Sequence, residues 1–314
     1  MSKQNIGTMF GAGDVSTFMG LSKIAKPESG LSAIVFGAPC ATPYESVGAY
    51  CSEAPDAIRA AIAGYAANIT HQDFDFGAQL FPFGVDAADM GNLDYEESDS
   101  AGNRAKIEAT VGAIVDSGAV PIVLGGDDSI PIPMIQAFAG RGDFVVVQID
   151  AHIDWRDEVR GEKLGLSSTM RRASEMAHVS KIVQIGQRGI GSARPSDYQD
   201  AVDAGVTFVS AREVFARGIQ VAIDAVPAGA NVIVALDCDA LDPSVVPGVI
   251  GRSPGGLTYW QVVELLHGIA AKSSIAAFDL VEFMPDVDVD AIGALNNARI
   301  VCNVLGLVTR QAHT

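Results

Sequence analysis

Short apolar runs alternate along this chain with stretches of helical spacing, and glycine, proline or acidic residues punctuate the joins. Residues 32–36 form an apolar run that ends in Gly37-Ala38-Pro39, the pattern of a buried strand entering a loop. Ala54-Pro55-Asp56-Ala57-Ile58-Arg59 then puts proline in the first turn of a helix. A strand is predicted over 79–85, ahead of an acidic turn at 86–89. Between 103 and 117 the spacing of Ile107, Val111, Ile114 and Val115 is helical, and Gly118 marks the stop. Residues 120–124 read as a strand that breaks off in Gly125-Gly126-Asp127-Asp128-Ser129, followed by a helix with Pro131 and Pro133 at its start. Phe144-Val145-Val146-Val147 is the next strand, leading straight into Gln148-Ile149-Asp150-Ala151-His152-Ile153-Asp154.

The alternation continues with strands at 181–185, 206–209, 231–236 and 274–280 and helices at 211–216, 259–271 and 291–307. Such strand, helix, strand units favour parallel pairing with right-handed connections. The expected fold is α/β, with a mainly parallel central sheet covered by helices on both faces. No linker or internal repeat divides the chain, so 1–314 is expected to be a single domain, with 1–30 as an irregular, Gly-rich N-terminal arm. At 314 residues and 48% hydrophobic content it can bury a large core.

Charge narrows the partners. Thirty-eight acidic against 21 basic residues, a net −17, argue against nucleic acid or an anionic membrane and suit a small cationic substrate or a metal. The N-terminal stretch has no continuous signal-peptide core, and no apolar run is long enough to predict a membrane span. Cys40, Cys51, Cys238 and Cys302 form neither CxxC pairs nor a disulfide ladder, which points to a reducing, cytoplasmic setting.

The chemistry gathers at predicted strand ends. Asp127-Asp128 follow Leu124, 150–154 follow Val147, Asp237-Cys238-Asp239 follow Leu236, and Glu282 follows Leu280. Ligand sites in such sheets lie at the carboxyl ends of strands, so separate segments deliver acids to one edge. If the strand runs on through 150–154, its period of two puts Asp150, His152 and Asp154 on one face. Carboxylates gathered there without a cation repel one another and their pKa values rise. Asp128, Asp150, His152, Asp154, Asp237 and Asp239 suffice for two divalent ions if some bridge. Mostly oxygen ligands with one imidazole suit Mn²⁺ first, and Ni²⁺, Co²⁺ or Zn²⁺ after it. Two such ions about 3.5 to 4 Å apart activate water at neutral pH, so the site reads as hydrolytic. Cys238, between two ligands, is expected to point away as a small buried hydrophobe.

Segments 125–129, 150–154 and 237–248, the last reading Asp-Cys-Asp-Ala-Leu-Asp-Pro-Ser-Val-Val-Pro-Gly, together resemble the ureohydrolase family of arginase, agmatinase and the guanidino-acid hydrolases, in its agmatinase-like branch. Pro55-Asp56-Ala57-Ile58-Arg59, Gly255-Gly256-Leu257 and Asp279-Leu280-Val281-Glu282 resemble further family segments, so the likeness spans most of the chain. It implies an arginase-like three-layer α/β/α fold and a binuclear manganese centre in which Asp150 and Asp237 bridge. His152 and Asp239 would complete one ion, and Asp128 and Asp154 the other. In the family a bridging hydroxide attacks the guanidinium carbon, and urea leaves with an amine. By the same resemblance Asp154 assists proton transfer, Glu282 holds the substrate's cationic group, and the chain forms a homo-oligomer, trimer or hexamer, with a hetero-oligomer open.

Two positions depart from the family pattern. Asp128 stands where Gly-Gly-Asp-His-Ser has its ligand histidine, which adds negative charge and hardens the site. Leu166 occupies the histidine position of a family His-Gly-Thr element. Leu166, Trp155 and Arg156 lie in the region that shapes substrate choice in the family and are candidates for the substrate pocket; 155–162 reads equally as a charged surface loop with Trp155 packed beneath it. Arg188 is expected to pair with a carboxylate, and His71, His178, His267 and His313 to be ordinary surface or helix histidines. The expected activity is metal-dependent amidinohydrolysis of a guanidino-type C–N bond in a linear amidine, with an atypical guanidine or biguanide as substrate and Mn²⁺ or, alternatively, Ni²⁺ as cofactor. The alternatives are a formimino or other amidine substrate, or a non-catalytic regulatory subunit, suggested by Asp128 and Leu166 standing in place of histidines.

Overall fold

Strands buried on both faces send alternate side chains into opposite apolar layers, and this organises the computed structural model, which describes residues 15–191 and 193–314. The strands are β1 (Ser22–Lys23), β2 (Ala33–Ala38), β3 (Gln72–Asp73), β4 (Ala78–Gln79), β5 (Ala87–Asn92), β6 (Val120–Gly125), β7 (Phe144–Ile149), β8 (Val179–Ile185), β9 (Thr207–Val209), β10 (Asn231–Asp237) and β11 (Ser274–Val281). Apart from the small antiparallel hairpin β3–β4, they form one nine-stranded parallel sheet in the order β1-β5-β2-β6-β11-β10-β7-β8-β9. On β2, Ile34 and Phe36 enter one layer and Val35 the other; on β7, Val146 goes one way and Val145, Val147 and Ile149 the other.

Helices complete the outer layers. The helices α1 (Ala54–Ala63), α2 (Ser100–Asp116), α3 (Pro131–Gln136), α4 (Thr169–Ser174), α5 (Pro195–Asp203), α6 (Ala211–Arg217), α7 (Gln220–Ala225), α8 (Tyr259–Ala270) and α9 (Ile292–Ala312) divide between the two faces. Ile58, Leu265 and Val301 of α1, α8 and α9 pack on one face; Ile107, Met134, Met170 and Ala201 of α2 to α5 pack on the other. Local signals set the ends. Thr258 and Gln261 form a reciprocal capping box at the start of α8, and Gly118 takes φ +90 just beyond α2. Among the described residues α9 alone has the length and apolarity of a membrane-crossing helix, and its apolar stretch is 72% buried inside the fold.

Two expectations need correction. The strand anticipated at 79–85 is absent; its first residue belongs to the hairpin, and the sheet strand is β5, covering most of the anticipated acidic turn. Asp89 made that segment look like a loop, yet it is 0% exposed. Arg59 of α1 grips it, Nε donating to Oδ2 at 2.8 Å and Nη2 to Oδ1 at 3.0 Å. The amides of Phe18 and Gly91 donate to the same carboxylate at 2.7 and 2.8 Å. Of the expected irregular arm, residues 1–14 lie outside the described residues. The rest supplies the edge strand β1 and the buried side chains Phe18, Met19 and Leu21.

The strands β6, β11, β10 and β7 are neighbours at the centre of the sheet, so their carboxyl ends stand side by side. β6 and β7 succeed one another in the main sheet's chain order but have two strands between them, the break in order at which parallel sheets open a crevice.

Replacing Arg59 with leucine leaves the Asp89 carboxylate buried without its counter-charge. We expect a loss of about 3–5 kcal/mol of folding stability, read as a lowered urea midpoint; a variant as stable as wild type would show that the pair is dispensable.

Candidate metal centre

Just after β6 the chain passes so close to the Pro39 carbonyl oxygen that only glycine fits at position 126. Asp127 braces this segment from within, accepting hydrogen bonds from the Ala41 and Ser129 amides, each at 3.1 Å. Asp128 is thereby left facing the crevice, buried, with its Oδ2 lacking a hydrogen-bond partner among the described residues.

The strand β7 stops at Ile149, so the 150–154 segment is not the continuous strand that a period of two assumed. Its acids converge through a bend instead, with Asp154 in the left-handed region at φ +42. Asp150 is fully buried and accepts from the His152 amide and from Gln148 Nε2, both at 2.6 Å. The same Gln148 nitrogen donates to Asp154 Oδ2 at 2.7 Å, so one amide orients two carboxylates. Gln184, its partner on β8, donates to Gln148 Oε1 and to the Ile153 carbonyl.

At the end of β10, Asp237 accepts from the Asp239 amide at 2.7 Å, and Asp239 accepts from the Ala151 amide at 3.2 Å. Arg188 steadies this turn by donating to the carbonyls of Asp239, Ala240 and Leu241, and not, as expected, by pairing with a carboxylate. Cys238 is buried between the two acids. Beyond β11, Glu282 adopts φ +66 and is buried, accepting from the Asp128 amide at 2.8 Å and from the Tyr50 hydroxyl.

Among the described residues, two groups of potential ligand atoms, those of each group within 4.8 Å of one another, result: Asp150, His152 and Asp239, and Asp128, Asp150 and Asp154. Asp150 belongs to both. Asp237 lines the same concavity without joining either group. Burial and then mutual repulsion push the carboxyls of Asp128, Asp154, Asp237 and Asp239 upward. Burial also opposes ionisation of Asp150, but hydrogen bonds led by His152 hold it down at about 2. His152 in turn is raised to about 12 by its hydrogen bonds to Asp150 and Asp239. That imidazolium is the charge a divalent ion would replace, since a ligand imidazole must be neutral. Buried acids that ionise only with difficulty, an orphan oxygen on Asp128 and a carboxylate shared between two triads fit a pair of divalent cations.

The concavity over these groups has a volume of about 260 Å³, and Trp155, Arg156 and Leu166 contribute to its wall. Trp155 also reaches into the core below, so it serves both of its anticipated roles. Asp197, Ile250, Gly251, Tyr50 and Gln148 escaped the sequence reading, although Gln148 was visible as a polar break in an apolar strand. A larger groove of about 860 Å³ lies beside α2, α3 and α4, but the ligand clusters are not in it. The expectation for His178 is corrected: it is buried, its Nε2 2.9 Å from the Ile135 carbonyl.

Parallel sheet and shared carboxylate cluster define an α/β protein with an acid-rich centre whose residues could hold divalent cations. Residues 31–306 match the family model described as the arginase family. The chain belongs to that family, a group of ureohydrolases with binuclear metal centres acting on small guanidino compounds. It is 33% identical to the mitochondrial agmatinase of Gallus gallus over 224 residues, 69% of this chain and 65% of that protein. It is 28% identical to the guanidinobutyrase of Pseudomonas aeruginosa, over 78% of this chain and 80% of that one. The proclavaminate amidino hydrolase of Streptomyces clavuligerus superposes with a TM-score of 0.82 at 25% identity, covering 95% of this chain and 98% of the other.

Chiefly through burial, Glu282 is raised from 4.5 to about 8. A carboxyl raised on folding stabilises the fold below its ordinary value, and that contribution is lost as pH climbs through the folded one. His152, raised from 6.5 to about 12, acts with the same sign. Asp150 has the opposite sign but matters only in strong acid, where it falls from 3.8 to about 2. In chelator, the melting temperature should therefore fall as pH rises from 4.5 to about 8. Saturating Mn²⁺ or Ni²⁺ should flatten the slope and raise the melting temperature; identical profiles with and without metal would count against a cation at these residues.

Proposed function

We propose that this chain is a binuclear metal-dependent amidinohydrolase that cleaves a guanidino-type C–N bond and releases urea and an amine, with an atypical small guanidine or biguanide as substrate. The observation that carries the proposal is the convergence of Asp128, His152, Asp154, Asp237, Asp239 and Glu282 on one concavity at the ends of adjacent parallel strands. In this reading Asp150, His152 and Asp239 hold one ion and Asp128, Asp150 and Asp154 the other, with Asp237 as a second bridge carried over from the family. Mn²⁺ suits this oxygen-rich set first and Ni²⁺ second.

When bound, the ions supply an acidified water and polarise the reacting group. The chain's own residues do the rest. Glu282, buried behind the crevice, attracts the guanidinium and fixes its orientation. Asp154, in the wall of the concavity, would take the proton given up by the attacking water and pass it to the leaving nitrogen. Trp155, Leu166 and Ile250 line the concavity with apolar surface and exclude water. Its volume of about 260 Å³ lies below the range typical of drug-sized ligands, in keeping with a small cation. Leu166, where the family's element has histidine, favours an uncharged substituent on that side. The four free, buried cysteines support a reducing, cytoplasmic setting, and a homo-oligomeric assembly is part of the same proposal.

The test is mass-spectrometric detection of urea and amine from the Mn²⁺- or Ni²⁺-loaded protein over a panel of guanidines and biguanides. A formimino substrate would give a different nitrogen product. Failure to retain metal, together with no product, would instead support a regulatory subunit. Asp150→Asn should reduce turnover to background and release metal from both positions, as measured by elemental analysis. Gln148→Leu, which removes the donor orienting Asp150 and Asp154, should weaken metal affinity roughly 10–100-fold, measured by competition with a chelator; unchanged affinity would exclude that role.

A further inference from the structure

Glu282 is held in a way that limits what it can still accept. The Tyr50 hydroxyl lies 2.7 Å from Oε1 and 2.6 Å from Oε2. A single donor that close to both oxygens sits across the open fork of the carboxylate, where a planar guanidinium would otherwise make paired hydrogen bonds. The Asp128 amide occupies a further acceptor site on Oε1 at 2.8 Å. A carboxylate offers about four such sites, so the outer lone pair of Oε2 is the one left for a ligand. The Glu282 amide is itself tied to the Gly126 carbonyl at 2.8 Å, which anchors the main chain of the residue, while the Tyr50 hydroxyl and the Asp128 amide hold its carboxylate. Glu282 lines the concavity whereas Tyr50 does not, so the fork faces the tyrosine and not the ligand space.

Resting on the amidinohydrolase reading above, we infer that Tyr50 is a specificity-determining residue. By capping the fork it leaves Glu282 a single acceptor. The site therefore selects a guanidinium or biguanide that presents one N–H there and carries alkyl groups on the neighbouring nitrogen. Unsubstituted guanidinium would aim a second N–H at the capped fork, where Glu282 has no free acceptor for it, and a donor left unmet costs more than an absent one. Leu166 and Ile250, in the wall of the same concavity, offer apolar surface for the alkyl groups.

The experiment compares guanidinium and N,N-dimethylguanidinium binding to the metal-loaded full chain by calorimetry, in wild type and in Tyr50→Phe. Wild type should bind the dimethyl cation more tightly. Tyr50→Phe removes the hydroxyl that holds the fork, so the Glu282 side chain can turn it toward the ligand space, and should shift the ratio of dissociation constants roughly tenfold toward the unsubstituted cation, with metal content unchanged by elemental analysis. Tyr50→Leu takes its place should the Phe variant not fold. A ratio that stays the same, equal weakening of both cations, failure of wild type to bind either, or loss of metal from the variants would each overturn the inference. Turnover measured on the same samples separates the two readings: a shifted ratio without release of urea or amine leaves the cap in place and sinks the hydrolase assignment.

Discussion

The structure depends on keeping several carboxylates buried at one edge of a parallel sheet. Each acid reaches that edge because a strand delivers it, and the fold's own hydrophobic layers hold the strands in register. Burial alone would protonate most of them, and Asp128, Asp154, Asp237 and Asp239 are all pushed that way. Asp150 resists because donors surround it: the His152 ring and amide and the Gln148 side chain. It is the ionised anchor of the cluster, and the other acids are arranged about its charge.

Most of what fixes the cluster lies one layer beneath it. Gln184 holds Gln148, which holds Asp150 and Asp154. Asp127 shapes the turn that presents Asp128, and Thr169 donates to the Asp128 carbonyl from the start of α4. Arg188 gathers the carbonyls of the 239–241 turn, and Tyr50 holds Glu282. Tyr44, on the same loop as Tyr50, accepts from the Ser167 amide at 3.2 Å and packs against Gly165. One short loop thus supports both the Glu282 carboxylate and the segment carrying Leu166. Such outer partners determine ligand orientation as much as the ligands do.

Sequence alone carried the parallel α/β architecture, because short apolar runs and helical spacing alternate plainly and the acids fall just after the runs. It also carried every residue of the two ligand groups. It failed where a charge is neutralised from afar. Asp89 looks like turn chemistry until Arg59, thirty positions away, is seen to grip it. Tyr50 and Glu282 are 232 positions apart, and nothing local to either announces the contact. Gln148 and Gln184 were legible in principle, since each interrupts an apolar strand and the register places them side by side. The bend after Ile149 was not, because the left-handed Asp154 is a tertiary demand on an ordinary acidic residue.

Asp128 changes the electrostatic balance of the whole concavity. With an imidazole there, four carboxylates would face two divalent cations and the ligand set would be neutral. With Asp128 a fifth carboxylate joins, and one negative charge remains before Glu282 is counted. In a desolvated crevice that excess favours a cation and disfavours any substrate bearing its own carboxylate nearby. The apolar Leu166 acts in the same direction on shape, since it offers no polar group to a long functionalised tail. On the proposed reading, charge and wall together would suit a small, substituted cation recognised by its core and not by its far end.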